Sequence, residues 1–245
     1  MKKPVVFLFC ILLFSCNNIQ RLEFARSNPK AVNELDLSNS KLVSVPILVS
    51  EMTSLKTLKF FRNKIDSVPS FTGDLNKLEE LSFQSNRLVY VAPETGKLQN
   101  LKKLNLRFNK LTQVPEELSQ LNKLEELDLR NNLLKALPAD IGNLQNLEYL
   151  YLSDNHLKEL PVSLARLSKL RLLHIGKNYL SGPVPEFIGD LESLIELDVS
   201  GCGEDNRLPQ SLSKLRRLET LYISSYQILP YGVGQGNPRL KIIIK

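Results

Sequence analysis

Several side chains suited to binding a partner recur at a fixed spacing of 23 residues in this sequence. Arg107 and Arg130 form one such pair, and Tyr151 and His174 form another. Aromatic and arginine side chains are enriched among the residues that contribute most to protein-binding energy, and tyrosine rings also stack on sugars. The candidate binding residues are Arg107, Arg130, Tyr149, Tyr151, Leu172, His174 and Tyr222. We expect them to form one patch if the fold repeats every 23 residues.

Side chains that could catalyse a reaction are not arranged for it. The sequence contains no Gly-rich phosphate loop, no nucleophile elbow and no metal-ligand spacing. His174 has no Ser or Cys at a spacing that would single out a catalytic pair. The acidic pairs Glu79–Glu80 and Glu125–Glu126 lie on expected strands, where adjacent side chains face opposite ways. We therefore expect no enzyme, no cofactor and no bound metal.

A repeat must position the candidate residues. The stretch from Leu124 to Asn146 reads LEELDLRNNLLKALPADIGNLQN, and edited copies of it recur along most of the chain. The copies begin at Val32, Leu55, Leu78, Leu101, Leu124, Leu147, Leu170, Leu194 and Leu218, and Leu240 opens one more strand. Six intervals of 23 residues are followed by two of 24. A fixed period of this length is typical of solenoid proteins.

The repeated unit resembles the leucine-rich repeat, whose pattern is L-x-x-L-x-L-x-x-N-x-L. The resemblance implies an α/β fold, a leucine-rich-repeat solenoid. A curved parallel β-sheet forms its concave face, and short helical or 3₁₀ turns form its convex face. In each unit the leucines at positions 4 and 6 point inward, because strand residues alternate between faces. Positions 3, 5 and 7 then form the concave surface, which places the candidate patch there.

Position 9 of the unit is an asparagine in six consecutive repeats. The resemblance implies that these side chains turn inward and hydrogen-bond the backbone of adjacent coils as a ladder, which satisfies their buried amides. The ladder residues are Asn63, Asn86, Asn109, Asn132, Asn155 and Asn178. Ser40, Cys202 and Tyr226 occupy the same position in the first and last two repeats. Tyrosine is too large for it, so we expect the ladder to end before the ninth repeat.

The N-terminal residues have a different composition. Lys2 and Lys3 precede an unbroken apolar run over residues 5–14, and Ser15 precedes Cys16. This order resembles the lipobox of bacterial lipoproteins, in which the cysteine becomes the acylated first residue. We expect a signal peptide at 1–15 and a tether with an amphipathic capping helix at 16–31. An LRR domain of about nine repeats plus a closing strand should then fill 32–245.

The expected function is non-catalytic protein binding on the concave face of a lipid-anchored protein of the bacterial cell envelope. The combination resembles exported repeat proteins of spirochaetes and Bacteroidota. Removing Lys2 and Lys3 lowers the net charge from +6 to +4, with both signs interspersed, so nucleic acid is not an expected partner. We expect a monomer. We also expect no disulfide, because Cys10 leaves with the signal and Cys16 is acylated, which leaves Cys202 without a partner. The alternatives are binding of glycan or peptidoglycan, or a cytoplasmic signalling scaffold if residues 1–15 are not a signal.

Overall fold

The computed structural model describes residues 22, 25–235 and 237–245. These residues form a coil repeated along one axis, and each of the nine repeats contributes one strand to a common sheet. Ten strands make a single parallel sheet, in which they follow one another in chain order. Two further strands, at Ser67–Val68 and Tyr90–Val91, form a small parallel sheet on one side of the coil. The predicted leucine-rich-repeat solenoid is confirmed.

The elements are short and evenly spaced. The strands are β1 Glu34–Asp36, β2 Thr57–Lys59, β3 Ser67–Val68, β4 Glu80–Ser82, β5 Tyr90–Val91, β6 Lys103–Asn105, β7 Glu126–Asp128, β8 Tyr149–Tyr151, β9 Leu172–His174, β10 Glu196–Asp198, β11 Thr220–Ile223 and β12 Lys241–Ile244. The 3₁₀ turns are Pro29–Ala31, Ile47–Glu51, Ser70–Asp74, Pro93–Lys97, Glu116–Gln120, Ile141–Asn143, Val162–Arg166, Glu186–Asp190 and Gln210–Lys214. The proline before most of these turns sets an extended entry, which suits a short 3₁₀ turn.

The core is a stack of leucines between the sheet and the 3₁₀ turns. Leu127 at position 4 and Leu129 at position 6 are both fully buried. In register, Leu127 lies between Leu104 of β6 and Leu150 of β8. Every concave residue therefore sits on a row of equivalent residues one strand apart, about 4.8 Å from its neighbours. This register decides which side chains can form a common site.

The N-terminal capping helix falls only partly within the described residues. Leu22 and residues 25–27 are helical. Ala25 is buried and belongs to the hydrophobic core, and Leu22 packs against that core. Residues 16–21, 23 and 24 of the expected tether and helix, Cys16 among them, lie outside the described residues, as does the expected signal peptide at 1–15.

Adjacent coils approach closely at the convex turns. A Cβ added at Gly142 would overlap the backbone carbonyl of Ser163 in the next coil, and Gly73 stands in the same relation to Glu94. A backbone oxygen cannot move aside as a flexible side chain can. Glycine is therefore required at these positions because the coils stack tightly, and not because of its backbone angles.

Alanine at Gly142 is expected to destabilise the fold by about 1–3 kcal/mol, because the two coils must separate to admit the methyl group. The matched control is Gly182→Ala, where a Cβ would meet nothing within 4 Å. That variant should lie within about 0.5 kcal/mol of wild type. Urea unfolding followed by circular dichroism measures both. Equal midpoints for the two variants would show that the coils are not in contact at Gly142.

Candidate functional site

The concave sheet brings three of the predicted residues into one row. Register across β7 to β11 aligns Asp128 with Tyr151, His174, Asp198 and Tyr222. All five occupy position 5 of their repeats. Because the sheet is continuous, side chains that are 23 or 24 residues apart in sequence stand side by side.

The rings of this row are in contact. The centroids of Tyr151 and His174 are 5.4 Å apart at an interplanar angle of 81°. The centroids of His174 and Tyr222 are 6.1 Å apart at 83°, although β10 lies between their strands. Edge-to-face packing at these separations is favourable for aromatic pairs. The three rings therefore form one continuous strip across four strands, from β8 to β11.

A cation covers each end of the strip. The guanidinium carbon of Arg130 lies 4.2 Å from the centroid of the Tyr151 ring, and Lys245 Nζ lies 4.0 Å from the centroid of the Tyr222 ring. Both distances fall within the range of attractive cation–π contacts. We call the set Arg130, Tyr151, His174, Tyr222 and Lys245 the aromatic row.

Buried carboxylates hold the two cations in place. Arg130 donates from Nε to Asp128 Oδ1 at 2.9 Å and from Nη2 to Asp128 Oδ2 at 2.5 Å. Lys245 Nζ donates to Asp198 Oδ2 at 2.6 Å. Asp128 and Asp198 are only 3% and 4% exposed. Each charge is thus neutralised from below the row, and the outer side of each cation stays available to a ligand.

Electrostatics within the row follow from these contacts. The hydrogen bond to Asp128 raises the pKa of Arg130, so its charge is constant over the physiological range. Burial raises the pKa of Tyr151, with the negative charge of Glu126 as the next cause. The phenol is therefore neutral and can donate a hydrogen bond. The ring of His174 is held through Nε2 by Glu196 Oε1 at 2.7 Å.

Tyr149 and Leu172 lie in the neighbouring row of the sheet. Register places them between Glu126 and Glu196, one step along the strands at position 3. Arg171 Nη1 donates to the Tyr149 hydroxyl at 3.4 Å. Both side chains are half-buried. Tyr149 and Leu172 widen the aromatic row into a patch toward the N-terminal ends of β8 and β9.

Arg107 makes a separate contact. Its guanidinium carbon lies 4.4 Å from the ring centroid of Phe108. Phe108 is 42% exposed and has a φ of 56°, so its ring projects from the turn after β6. The structure therefore places Arg107 with a turn residue, one repeat before Arg130.

Three residues that complete the site were not among the predicted binding residues. They are Lys245, which is the second cation of the row, and Asp128 and Asp198, which orient the two cations. A local signal exists for the acids, because an Asp or Asn at position 5 accepts the backbone N–H of position 7. The backbone N–H of Arg130 donates to Asp128 Oδ1 at 3.1 Å, and that of Arg107 donates to Asn105 Oδ1 at 3.1 Å. The N–H of Ser200 donates to Asp198 Oδ1 at 3.0 Å. Lys245 has no comparable sequence signal, since it follows the closing strand.

The ladder asparagines all turn inward. Asn132 Nδ2 donates to the carbonyls of Leu106 and Leu129 at 3.0 Å each, and its Oδ1 accepts the N–H of Leu111 at 3.0 Å. The other five asparagines repeat this pattern with their own coils. Each asparagine side chain therefore hydrogen-bonds its own repeat to the preceding repeat and holds the two coils in register.

The expectation that the ladder ends before the ninth repeat was wrong. Tyr226 does turn outward, is 46% exposed and donates its hydroxyl to the carbonyl of Gly203. The next residue, Gln227, takes over the buried role. Its Nε2 donates to the carbonyl of Val199 at 3.1 Å, and its Oε1 accepts the N–H of Ser224 at 2.8 Å. One extra methylene lets glutamine reach inward from one residue later.

Cys202 fills its ladder position with a thiol that is 2% exposed and donates to the carbonyl of Val199. Burial raises the pKa of this thiol to about 12, with the charge of Asp198 as the next cause. We expect iodoacetamide to leave Cys202 unmodified in the native protein at pH 8.5 and to modify it after unfolding in urea. Peptide mass spectrometry reads this residue separately from Cys10 and Cys16.

The raised pKa of Cys202 also sets a direction for stability. The unfolded thiol ionises near pH 8.5, whereas the folded thiol keeps its proton. The contribution of Cys202 to the free energy of unfolding is therefore constant below that pH and becomes unfavourable as the pH rises above it.

Rapid iodoacetamide labelling of Cys202 in the native protein would contradict its buried position.

Among the described residues, no helix has the length and apolar content that crossing a bilayer requires. In the same part of the chain, no three His, Cys, Asp or Glu side chains are grouped closely enough to hold a metal ion.

Comparison with protein families agrees with this geometry. A model of a leucine-rich repeat region matches residues 114–224, and a second leucine-rich-repeat model matches residues 76–134. The two matches together span more than half of the chain. The chain belongs to the leucine-rich-repeat family. No curated protein sequence matches this leucine-rich-repeat chain. The fold is one that typically serves as a non-enzymatic binding module.

Several solved leucine-rich-repeat structures are similar to it. The ectodomain of the Arabidopsis thaliana membrane receptor kinase GASSHO1/SCHENGEN3, solved in complex with CASPARIAN STRIP INTEGRITY FACTOR 2, is 29% identical with a TM-score of 0.75, over 86% of this chain and 26% of that one. An internalin of Listeria monocytogenes is 21% identical with a TM-score of 0.73, over 89% of this chain and 68% of that one. A Leptospira interrogans leucine-rich-repeat protein is 24% identical with a TM-score of 0.52, over 91% and 80% of the two chains.

Proposed function

We propose that this leucine-rich-repeat protein is a non-catalytic module that binds a protein partner on its concave sheet, at the aromatic row. The observation that carries the proposal is the continuity of the row. Three rings touch edge to face, and a cation fixed by a buried carboxylate covers each end. Rigid aromatic and cationic side chains lose little conformational freedom on binding, which is the property of interface hot spots.

The rest of the concave sheet supports this location by contrast. In the second to fifth repeats, basic and acidic side chains pair across neighbouring strands. Lys59 meets Glu80 at 2.9 Å, and Lys103 meets Glu126 at 3.4 Å. Exposed pairs of this kind satisfy one another and contribute little to binding. The aromatic row is where the concave surface offers apolar area to a partner.

The similarity to the plant receptor ectodomain supports a protein partner. That ectodomain was solved in complex with CASPARIAN STRIP INTEGRITY FACTOR 2, and the similarity covers 86% of this chain and 26% of that one. The test is capture of envelope proteins on the immobilised protein, compared with the Tyr151→Ala/Tyr222→Ala variant. Sedimentation with purified peptidoglycan in the same experiment distinguishes a glycan ligand. Binding to peptidoglycan that needs the two tyrosines would replace the protein partner by glycan.

We also propose that the protein is displayed on a membrane of the bacterial envelope, at the outer membrane or its periplasmic face, through acyl chains on Cys16. The order of basic residues, apolar run, Ser15 and Cys16 supports the anchor. Each acyl methylene buried in the bilayer adds about 0.8 kcal/mol.

Intact mass spectrometry of the membrane fraction tests the anchor. We expect a mature form that begins at Cys16 and carries the added mass of acyl chains. The Cys16→Ala variant should lose both the added mass and the membrane association, because no thiol remains to be acylated. An unprocessed chain beginning at Met1 in the soluble fraction would contradict the anchor and favour the cytoplasmic scaffold.

A further inference from the structure

One side of the solenoid carries a column of basic residues over its first four repeats. The column occupies position 10, directly after the ladder position, and consists of Lys41, Lys64, Arg87 and Lys110. Backbone bonds between coils fix its register: the N–H of Lys64 donates to Leu42, that of Arg87 to Ile65 and that of Lys110 to Leu88. The four residues therefore stand in line, one coil apart, about 4.8 Å between neighbours.

The charges of this basic column are not neutralised by the protein. All four side chains are exposed, and no ion pair in the described part of the chain includes them. The side segments 39–44, 62–67, 85–90 and 108–113 contain five basic residues and one acidic residue, Asp66. The equivalent segments of the next three repeats contain three basic and two acidic residues, and there Lys177 pairs with Asp154 at 3.5 Å.

Apolar side chains lie beside the basic column on the same side. Val43 and Val89 are 65% and 57% exposed, and Tyr90 is 52% exposed. Tyr90 is held by strand β5, which pairs with β3 in the small side sheet. Lysine and arginine interspersed with exposed aliphatic and tyrosine side chains are typical of surfaces that rest in the headgroup region of a bilayer.

We propose that this side of the first four repeats docks on an anionic lipid bilayer. The basic column matches the negative surface charge of the leaflet, and Val43, Val89 and Tyr90 enter the headgroup layer. A dissolved polyanion would use the four cations and leave the three apolar side chains in water. The concave sheet is a different side of the coil, so the aromatic row stays accessible while the protein lies on the membrane. Acylation is not required for this contact, and it would add to it.

Vesicle cosedimentation tests the docking surface. The full chain carrying Cys16→Ser is mixed with phosphatidylcholine vesicles with and without phosphatidylglycerol. Its partner variant adds Lys41→Gln, Lys64→Gln, Arg87→Gln and Lys110→Gln. A matched control removes four charges elsewhere, through Lys135→Gln, Lys158→Gln, Lys177→Gln and Lys214→Gln. All of these chains share residues 1–31, so any contribution of that segment is the same in each.

We expect binding that requires phosphatidylglycerol and falls at least about 100-fold in the column variant, since each basic residue near an anionic surface contributes roughly fivefold. The control should bind within about tenfold of the parent chain. Equal binding to both vesicle types, or equal binding by the parent and the column variant, would overturn the proposal.

A third variant, Val89→Ser/Tyr90→Ser, distinguishes a bilayer from a dissolved polyanion. We expect it to bind vesicles more weakly than the parent chain and to bind dextran sulfate as strongly. Unchanged vesicle binding by this variant would show that the apolar side chains do not enter the headgroup layer, and would contradict the proposed docking. Circular dichroism melting curves identify any variant that fails to fold.

Discussion

Alanine at both Tyr151 and Tyr222 is expected to weaken partner binding at least about 100-fold, because each ring is a central anchor of the aromatic row. The two substitutions remove the edge contacts on both sides of His174 and the faces on which Arg130 and Lys245 stack. The fold should persist. Both side chains are half-exposed, so the loss of stability should not exceed about 1 kcal/mol.

Quantitative capture on the immobilised protein measures this effect. The matched control is Tyr179→Ala/Tyr231→Ala, which removes two tyrosines that are 63% and 85% exposed and lie off the concave sheet. We expect the control to bind as wild type does. If both double variants lost binding equally, or neither lost it, the partner would not be held by the aromatic row.

Leucine at Asn132 is expected to destabilise the protein by about 3–5 kcal/mol, because three buried backbone groups lose their partners at once. The groups are the N–H of Leu111 and the carbonyls of Leu106 and Leu129. Leucine keeps the branching of asparagine at Cγ but offers no hydrogen bonds. The effect should also reach the preceding repeat, since two of the three groups belong to it.

Urea unfolding followed by circular dichroism measures the loss, and Asn122→Leu is the matched control. Asn122 is exposed on the convex side and its Nδ2 donates only to Gln99 Oε1, at 3.3 Å. That variant should differ from wild type by no more than about 0.5 kcal/mol. If neither substitution lowered the free energy of unfolding, the asparagine ladder would not hold the coils together.

The fold could be predicted from the sequence because its information is periodic. One unit fixes the alternation of Leu127 and Leu129 toward the core, and the constant interval aligns equivalent residues across the sheet. Register then follows without any knowledge of side-chain packing. Tyr151 and His174 could be placed together for the same reason, since they occupy position 5 of consecutive repeats.

The contacts that complete the site could not be predicted in this way. His174 meets Tyr222 across an intervening strand, and this contact depends on Asp198 being buried and bonded to Lys245. Such a contact is decided by side-chain conformation, which a period does not specify. The ladder shows the same limit at its C-terminal end. Tyr226 was correctly excluded from the buried position, but the longer reach of Gln227 lies outside the repeat pattern.

The central claim is that a partner protein rests on the aromatic row. The most direct measurement is photo-crosslinking in cells, with a benzophenone amino acid at Tyr149, beside the row, or at Tyr231, far from it. We expect a discrete crosslinked protein from position 149 that disappears in the Tyr151→Ala/Tyr222→Ala background, and none from position 231. The same adducts from both positions, or a product at 149 that survives loss of the two tyrosines, would contradict it.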